Sequence, residues 1–351
     1  MNELSEMQAA IRSARKILPQ GNKTNPGLHS APADCSMLST ANLNGIVTYD
    51  PSEFLISALA GTPIQTLVAA LEEHGQYLPF DPMWVESGST IGGAIASGVS
   101  GSRQLLYGSL RDFVMEVQLI DGLGEIVRGG GKVVKNSAGF DLPKLMVGSY
   151  GRLGVMTEVT LKVLPAPEAY FGLRVVCSSF QDAMQCVRAL RGEPLPIASL
   201  EIGQDGCLDC EFAGLSTAML AVASRAKTIL AGRNTSEGNG KAVFDRGAEQ
   251  GKNLFKIAAS PATVAEFADK LASDLSDSES FRISAGGTLV WVWLDSETAE
   301  ELDQLLKKFG YSAIELNNCN AELLALGDLE WRSHARLVQK AMDPEGKFLP
   351  F

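Results

Sequence analysis

Gly88-Ser-Thr-Ile-Gly-Gly-Ala-Ile-Ala-Ser-Gly98, Tyr107-Gly-Ser-Leu-Arg-Asp112 and Gly148-Ser-Tyr-Gly-Arg-Leu-Gly-Val-Met-Thr-Glu158 are the stretches on which the reading of this chain turns. Between Glu86 and Gly154, 15 of the 35 glycines fall within 69 residues. That is roughly three times the usual frequency of about 7%. Glycine loses the most conformational entropy on folding, so it is kept where backbone bends through positive φ or approaches another group closely. Several such positions in one region point to a large polyphosphate-bearing cofactor lying against main-chain N–H groups.

The bulk numbers bound the rest. A chain of 351 residues exceeds the size at which one core stops growing, so two domains are expected. A net charge of -11 and a pI near 4.9, with Lys and Arg scattered, argue against nucleic-acid binding. The start, Met1-Asn-Glu-Leu-Ser-Glu6, is acidic and lacks the apolar core of a signal peptide. No apolar run reaches the roughly 18 residues that span a bilayer. Six cysteines without dense spacing fit a reducing compartment, so the expected location is the cytoplasm.

Along the chain, Ser5-x-x-Gln8 reads as a capping box, and Met7, Ile11, Ala14 and Leu18 share a helical face. Leu18 to Gly27 reads as a loop. Strands are expected at Gly45–Asp50 and Glu53–Ala60. A helix capped by Thr62, with Pro63 first and Gln65 completing a capping box, should end at Gly75. Phe113–Ile120, a turn at Asp121-Gly122, and Glu125–Arg128 form a hairpin, and Val155–Val163 a further strand. Pro165 and Pro167 mark a domain exit.

The pattern then changes. Strands are expected at Tyr170–Cys177, Ile197–Ile202, Cys207–Phe212, Leu254–Ala259, Phe281–Ser284, Thr288–Leu294 and Tyr311–Leu316. Helices are expected at Phe180–Arg191, Thr217–Ala231, after Ser260-Pro261, at Glu297–Phe309 and at Ser333–Ala341, and Gly232–Lys252 reads as a surface loop. This alternation describes an α+β domain on an antiparallel sheet.

Standard motifs fail. No G-x-G-x-x-G fingerprint occurs, and Gly131-Lys132 lacks the Ser or Thr of a Walker A loop. His29, His74 and His334 are far apart, and Cys207-x-x-Cys210 stands without a second pair, so no metal site is expected. That pair reads as two strand residues on one face. No G-x-S-x-G elbow is present.

The glycine blocks survive this elimination. Asp81-Pro82, Ser89–Gly98, Tyr107–Asp112 and Gly151–Glu158, with the ending Met342–Pro350, resemble the FAD-binding domain of the vanillyl-alcohol-oxidase/PCMH flavoprotein family. Asn136–Tyr150 is similar to its glycolate-oxidase FAD-binding members. The resemblance covers most of residues 15 to 168.

The resemblance implies a PCMH-type two-subdomain α/β FAD-binding domain over residues 1–168. It also implies an α+β antiparallel-sheet cap domain over 169–330, and a tail, 331–351, packing back on the first domain. It implies noncovalent FAD. Gln20, Gly21, Asn22, Lys23 and Thr24 would form a first pyrophosphate loop, although relatives carry more glycines there. Ser89, Thr90, Gly92, Gly93, Ser97 and Gly98 would form a second contact region, with Pro82 nearby and Gly154 and Val155 against the flavin-ribityl or adenine side. Lys23 would add a charge-assisted contact.

The function implied is that of an FAD-binding subunit in a complex oxidising glycolate to glyoxylate. A larger homologous flavin subunit and an iron–sulfur subunit would be its partners. The six cysteines of this chain lack cluster spacing, so iron–sulfur chemistry would sit in a partner. Two alternatives stay open: a self-sufficient FAD-dependent 2-hydroxy-acid oxidoreductase, and a flavin-free structural subunit. The Gly-Glu-His-Gly-like motif of the catalytic relatives is missing, and no catalytic residue is assigned. Arg282 and His334 read as a solvated arginine and a helix-face histidine, Trp291 and Trp293 as core and interface aromatics.

Overall fold

The computed structural model describes residues 3–24, 32, 34–131, 140–238, 252–276, 278–295, 298–316 and 325–351. The first half opens with helix α1 (Glu3–Ser13), which buries Met7 and Ile11. Strand β1 (Ile17–Gln20) then pairs in parallel with β2 (Ser36–Ser39). There follow β3 (Ile46–Asp50), β4 (Leu55–Leu59), α2 (Ile64–Glu72), the two-residue β5 (Gln76–Tyr77), α3 (Ile91–Ser97), β6 (Val114–Ile120) and β7 (Ile126–Gly130). Helix α4 (Leu142–Met146), β8 (Val155–Lys162) and the two-residue β9 (Leu164–Pro165) complete this half.

Strands β3, β4, β8, β6 and β7 lie in that order in one antiparallel sheet. Residues two apart on a strand share a face. Ile56 and Ala58, Val117 and Leu119, and Val159 and Leu161 accordingly pack with Leu67 and Leu71 of α2, Ile91 and Ile95 of α3, and Met146 of α4.

The second half comprises β10 (Ala169–Val175), α5 (Phe180–Arg191), β11 (Ile197–Gly203), β12 (Leu208–Gly214), α6 (Met219–Ile229), β13 (Thr235–Gly238) and β14 (Asn253–Ala258). It continues with α7 (Val264–Asp274), β15 (Ser280–Ser284), β16 (Leu289–Leu294), α8 (Ala299–Phe309), β17 (Ser312–Glu315) and β18 (Ala325–Gly327). One sheet holds them in the order β13-β10-β12-β11-β15-β16-β14-β17-β18, antiparallel throughout. One face carries Leu200, Ile202, Phe255, Ile257, Val290 and Val292 against α5, α7 and α8. The other meets the first half.

Local chemistry explains the helix ends. Ser179 accepts the Asp182 N–H at 3.1 Å to open α5, and Gly192 follows its last turn. Glu300 and Glu301 in the first turn of α8, and Lys307 and Lys308 in its last, complement the helix dipole. Gly310 closes α8 in the left-handed region at φ 66°.

Helix α9 (Trp331–Met342) and the tail lie against the first half. Gln339 Nε2 donates to the carbonyls of Arg152 at 3.0 Å and Leu349 at 2.7 Å. The Ile17 N–H donates to Lys347 O at 2.7 Å.

Several local expectations are corrected. Ser5 and Gln8 lie inside α1, and Gln8 Nε2 instead donates to Gly124 O across the fold at 2.7 Å. The expected Leu18 loop begins as strand β1, held by β2 and by a bridge from Ile17 to Phe348. Thr62 does not cap α2, whose N-cap is Pro63. Its hydroxyl donates to Leu59 O at 2.6 Å and accepts the Gly45 N–H at 2.9 Å. Cys207 precedes β12 while Cys210 is on its core face, so the two do not share a face. Part of the expected 232–252 loop is strand β13, and β18 was not anticipated. Residues 132–139, including Lys132 and Asn136 to Gly139, lie outside the described residues, as does His29.

Candidate functional site

Three segments distant in sequence meet at one crevice. The first is the turn after β1. Gln20 is buried, and its carbonyl accepts both the N–H and the hydroxyl of Thr40, at 2.8 and 3.3 Å. The backbone then turns through Lys23 at φ 59°. Among the described residues, the main-chain N–H groups of Gly21, Asn22, Lys23 and Thr24 find no acceptor. Successive amides in a turn containing a left-handed residue form an anion-binding concavity.

The second segment is the start of α3. Thr90 caps it, accepting the Gly93 N–H at 3.2 Å. A Cβ on Gly21 would sit 2.5 Å from Thr90 Oγ1, so a residue without a side chain lets the turn reach this cap. Asn22 Nδ2 donates to Gly88 O at 2.9 Å, joining the same two segments. A Cβ on Gly92 would lie 2.8 Å from both the Cβ and the carbonyl of Ala60, so this helix packs backbone-close on the end of β4.

The third segment runs from Gly148 to Met156. Gly148 and Tyr150 donate their N–H groups to Ile95 O at 3.0 Å and Ala96 O at 2.8 Å. Tyr150 and Gly151 are both left-handed, at φ 52° and 70°. A non-glycine residue held there costs energy and is found where surroundings fix it for function.

The crevice has a cavity volume of about 70 Å³. Among its described lining residues Lys23 is the one charged group, and none is a carboxylate or imidazole. Burial pushes the Tyr150 phenol above its ordinary value. Behind it, Arg152 is buried, donating to Tyr150 O at 2.5 Å and Pro350 O at 3.2 Å, and burial pushes its guanidinium down to about 10.

Of the residues expected at a cofactor site, Gln20, Gly21, Asn22, Lys23 and Thr24 line the crevice from the first segment. Ser89, Thr90, Gly92, Gly93 and Ser97 line it from the second, and Gly154 from the third. Pro82, Gly98 and Val155 are not among the lining residues. Gly98 caps the far end of α3, and Val155 turns its side chain into a cluster with Met7, Ile11 and Phe348. Pro19, Thr40, Ala60, Trp84, Ala96, Tyr150, Gly151 and Met156 also line the crevice without having been anticipated. Trp84 and Tyr150 carry no local signal, because their left-handed backbone follows from packing.

FAD fits these residues. Its pyrophosphate carries two negative charges, and four amides without an acceptor among the described residues, with Lys23 beside them, suit such a group without a cluster of cations. The Thr90 hydroxyl lies against both Gly21 and Gly93, 2.5 and 3.0 Å from where a Cβ would sit.

The crevice opens beside the seam between the halves. Trp84 also packs with Met83, Val99, Leu254, Trp291 and Trp293 there. Arg103 forks onto buried Glu211 of β12, Nε to Oε2 at 2.7 Å and Nη2 to Oε1 at 3.0 Å. Glu201 of β11 is fully buried; its Oε1 accepts the Ser284 hydroxyl at 2.6 Å, and its Oε2 has no hydrogen-bond partner among the described residues. Burial pushes this carboxyl up to about 7.

A glycine-lined crevice against a five-stranded sheet, faced by an antiparallel cap sheet, defines a PCMH-type FAD-binding flavoprotein. The FAD binding domain family model matches residues 2–130. Glycolate oxidase subunit GlcE of Escherichia coli (strain K12) is 34% identical over 349 residues, covering 99% of this chain and 95% of that one. D-lactate dehydrogenase of Anaerostipes hadrus is 36% identical over 151 residues, 43% of this chain and 31% of that one. Glycolate oxidase subunit GlcD of Bacillus subtilis (strain 168) is 33% identical over 186 residues, 53% of this chain and 39% of that one. A solved alkyldihydroxyacetonephosphate synthase shares the fold at a TM-score of 0.69 and 16% identity, covering 97% of this chain and 74% of that one.

The chain belongs to the family of FAD-dependent oxidoreductases that includes the GlcE subunit. FAD is its cofactor. No helix among the described residues is long and apolar enough to cross a membrane.

Proposed function

We propose that this chain is the FAD-binding subunit of a cytoplasmic glycolate oxidase complex, joined to any membrane through a partner. It holds FAD noncovalently beside a larger homologous flavin subunit that oxidises glycolate to glyoxylate. An iron–sulfur subunit carries the electrons onward. The single observation carrying this reading is similarity to GlcE along nearly the full length of both chains.

Residues 1–168 act as the FAD-binding domain, 169–330 as the cap and 331–351 as a returning tail. The amides of residues 21–24 and the Lys23 ammonium receive the pyrophosphate. Thr90, Gly92 and Gly93 offer a backbone surface for close approach, and Tyr150 walls the crevice from water. Bound FAD supplies a reversible two-electron carrier.

Abstracting hydride from a hydroxy acid needs a base for the hydroxyl proton. The described crevice lining contains neither carboxylate nor imidazole. That favours electron relay or assembly over an independent catalytic centre.

Purifying the chain alone and recording its absorbance with anaerobic glycolate tests the reading. A flavin band indifferent to glycolate is expected. Bleaching by glycolate alone would make the chain a self-sufficient oxidoreductase. No band after reconstitution with FAD would leave a flavin-free structural subunit.

A further inference from the structure

The register across the cap sheet sets an unusual row of side chains facing the first half. Lys256 lies opposite Trp291, and Trp291 opposite Arg282 on the next strand. Their sequence neighbours Phe255, Ile257, Phe281, Ile283, Val290 and Val292 belong to the core on the helix-covered face. Lys256, Trp291 and Arg282 therefore stand on the seam face. Trp291 is buried there with Val99 and Trp84.

The two cations flanking Trp291 are balanced differently. Arg282 has the Glu201 carboxylate within its field. Lys256 has no acidic partner among the described residues, in a chain of net charge -11. Its ammonium donates to the Gly98 carbonyl at 2.8 Å. Burial pushes that ammonium down to about 8.

Gly98 is the left-handed C-cap of α3, at φ 61°, and the preceding residues Ala96 and Ser97 line the crevice. A cation at a helix C-terminus complements the dipole. A partial dipole does not fully offset a partly buried charge that has no anion beside it.

We propose that Lys256 is a positioning residue whose charge, held on the Gly98 carbonyl one residue beyond the crevice-lining Ser97, stabilises the flavin in its reduced state. The inference rests on the reading that this chain retains FAD. Uptake of two electrons and one proton adds one negative charge to the cofactor. The electrons come from the complex in the cell and from dithionite in the test. A fixed ammonium in a partly buried seam favours that charge more than one in bulk water.

The test reconstitutes the full chain with FAD and measures the flavin midpoint potential by dye equilibration during dithionite titration. Wild type is compared with Lys256→Met, Lys256→Gln and Lys256→Arg. Gln keeps a donor for the Gly98 carbonyl but removes the charge, so it carries the test if Met does not fold. Met and Gln should weaken the reduced state relative to the oxidised by at least tenfold. For a two-electron couple that is a fall of about 30 mV. Arg should stay within threefold of wild type. Potentials for Gln and Met within twofold of wild type would overturn the role of Lys256 while leaving the flavin reading intact. A wild-type chain that takes up no flavin would overturn both.

Discussion

Arg103 and Glu211 form a forked ion pair across the seam, Nε to Oε2 at 2.7 Å and Nη2 to Oε1 at 3.0 Å, with Tyr170 under the guanidinium at 4.7 Å. The pair ties the turn after α3 to strand β12, and so fixes the cap sheet over the crevice edge. Burial pushes Glu211 up, and Arg103 offsets part of that.

Removing Arg103 leaves a carboxylate buried alone. Breaking a buried pair from one side costs about 3–5 kcal/mol, and the partial exposure of Arg103 lowers that to about 2–3. Arg103→Ala should therefore lower urea stability by that amount. Adding Glu211→Gln to it should restore at least half. A double variant no more stable than the single one would refute the pair as the seam's fastening.

Gly92 and Gly93 are adjacent but should respond differently. A Cβ on Gly92 meets the Ala60 backbone at 2.8 Å, so Gly92→Ala should lower the melting temperature. A Cβ on Gly93 meets only the Thr90 hydroxyl, at 3.0 Å. Gly93→Val should keep the fold by circular dichroism yet lose FAD, read as the ratio of flavin to protein absorbance. Full flavin content in soluble Gly93→Val would remove that glycine from the cofactor surface.

Glu201 sets a pH dependence. Its folded value, about 7, is above the unfolded 4.5, because burial disfavours the charge. The folded state thus binds this proton more tightly. The resulting stability is complete below about pH 4.5 and declines as pH rises to about 7, where it is lost. At 1.36 kcal/mol per pH unit the full swing is about 3 kcal/mol. Glu201→Gln keeps an acceptor for Ser284 and should flatten this decline. The check is the difference in urea midpoint between variant and wild type at pH 5 and pH 7.5. An equal difference at both would contradict the assignment.

Cys177, Cys186 and Cys210 should resist thiol reagents in the native protein. Cys177 and Cys186 approach to 4.0 Å, and burial raises all three thiols, Cys177 to about 12. The thiolate is the reactive form, so labelling at pH 8 should be slow. Unfolding in urea should speed it at least tenfold. Peptide mapping after alkylation distinguishes these from Cys35 and Cys207.

Much of the cap was legible because its strands carry large apolar residues two apart. Phe255 and Ile257, or Val290 and Val292, announce one buried face wherever the strand is placed. Helix α5 was readable at both ends because Ser179 and Gly192 act on their immediate neighbours. Strand β1 was not: Pro19 and Gly21 look like a loop, and only β2 and Phe348 make the segment extended. Thr62 and Ser5 failed as caps for the same reason, since a hydroxyl's partner depends on which carbonyl the fold brings near. The Cys207 and Cys210 pairing misjudged a spacing of three on a two-residue period.

The flavin class was readable along the chain because close approach of backbone to a dinucleotide demands missing side chains, and glycine in ordered blocks records that demand locally. The contacts of Asn22 with Gly88, Arg103 with Glu211 and Lys256 with Gly98 had no such local trace. Each joins segments at least 66 residues apart. Burial and charge balance at such points arise only when sheets and helices pack, so no neighbouring residue encodes them.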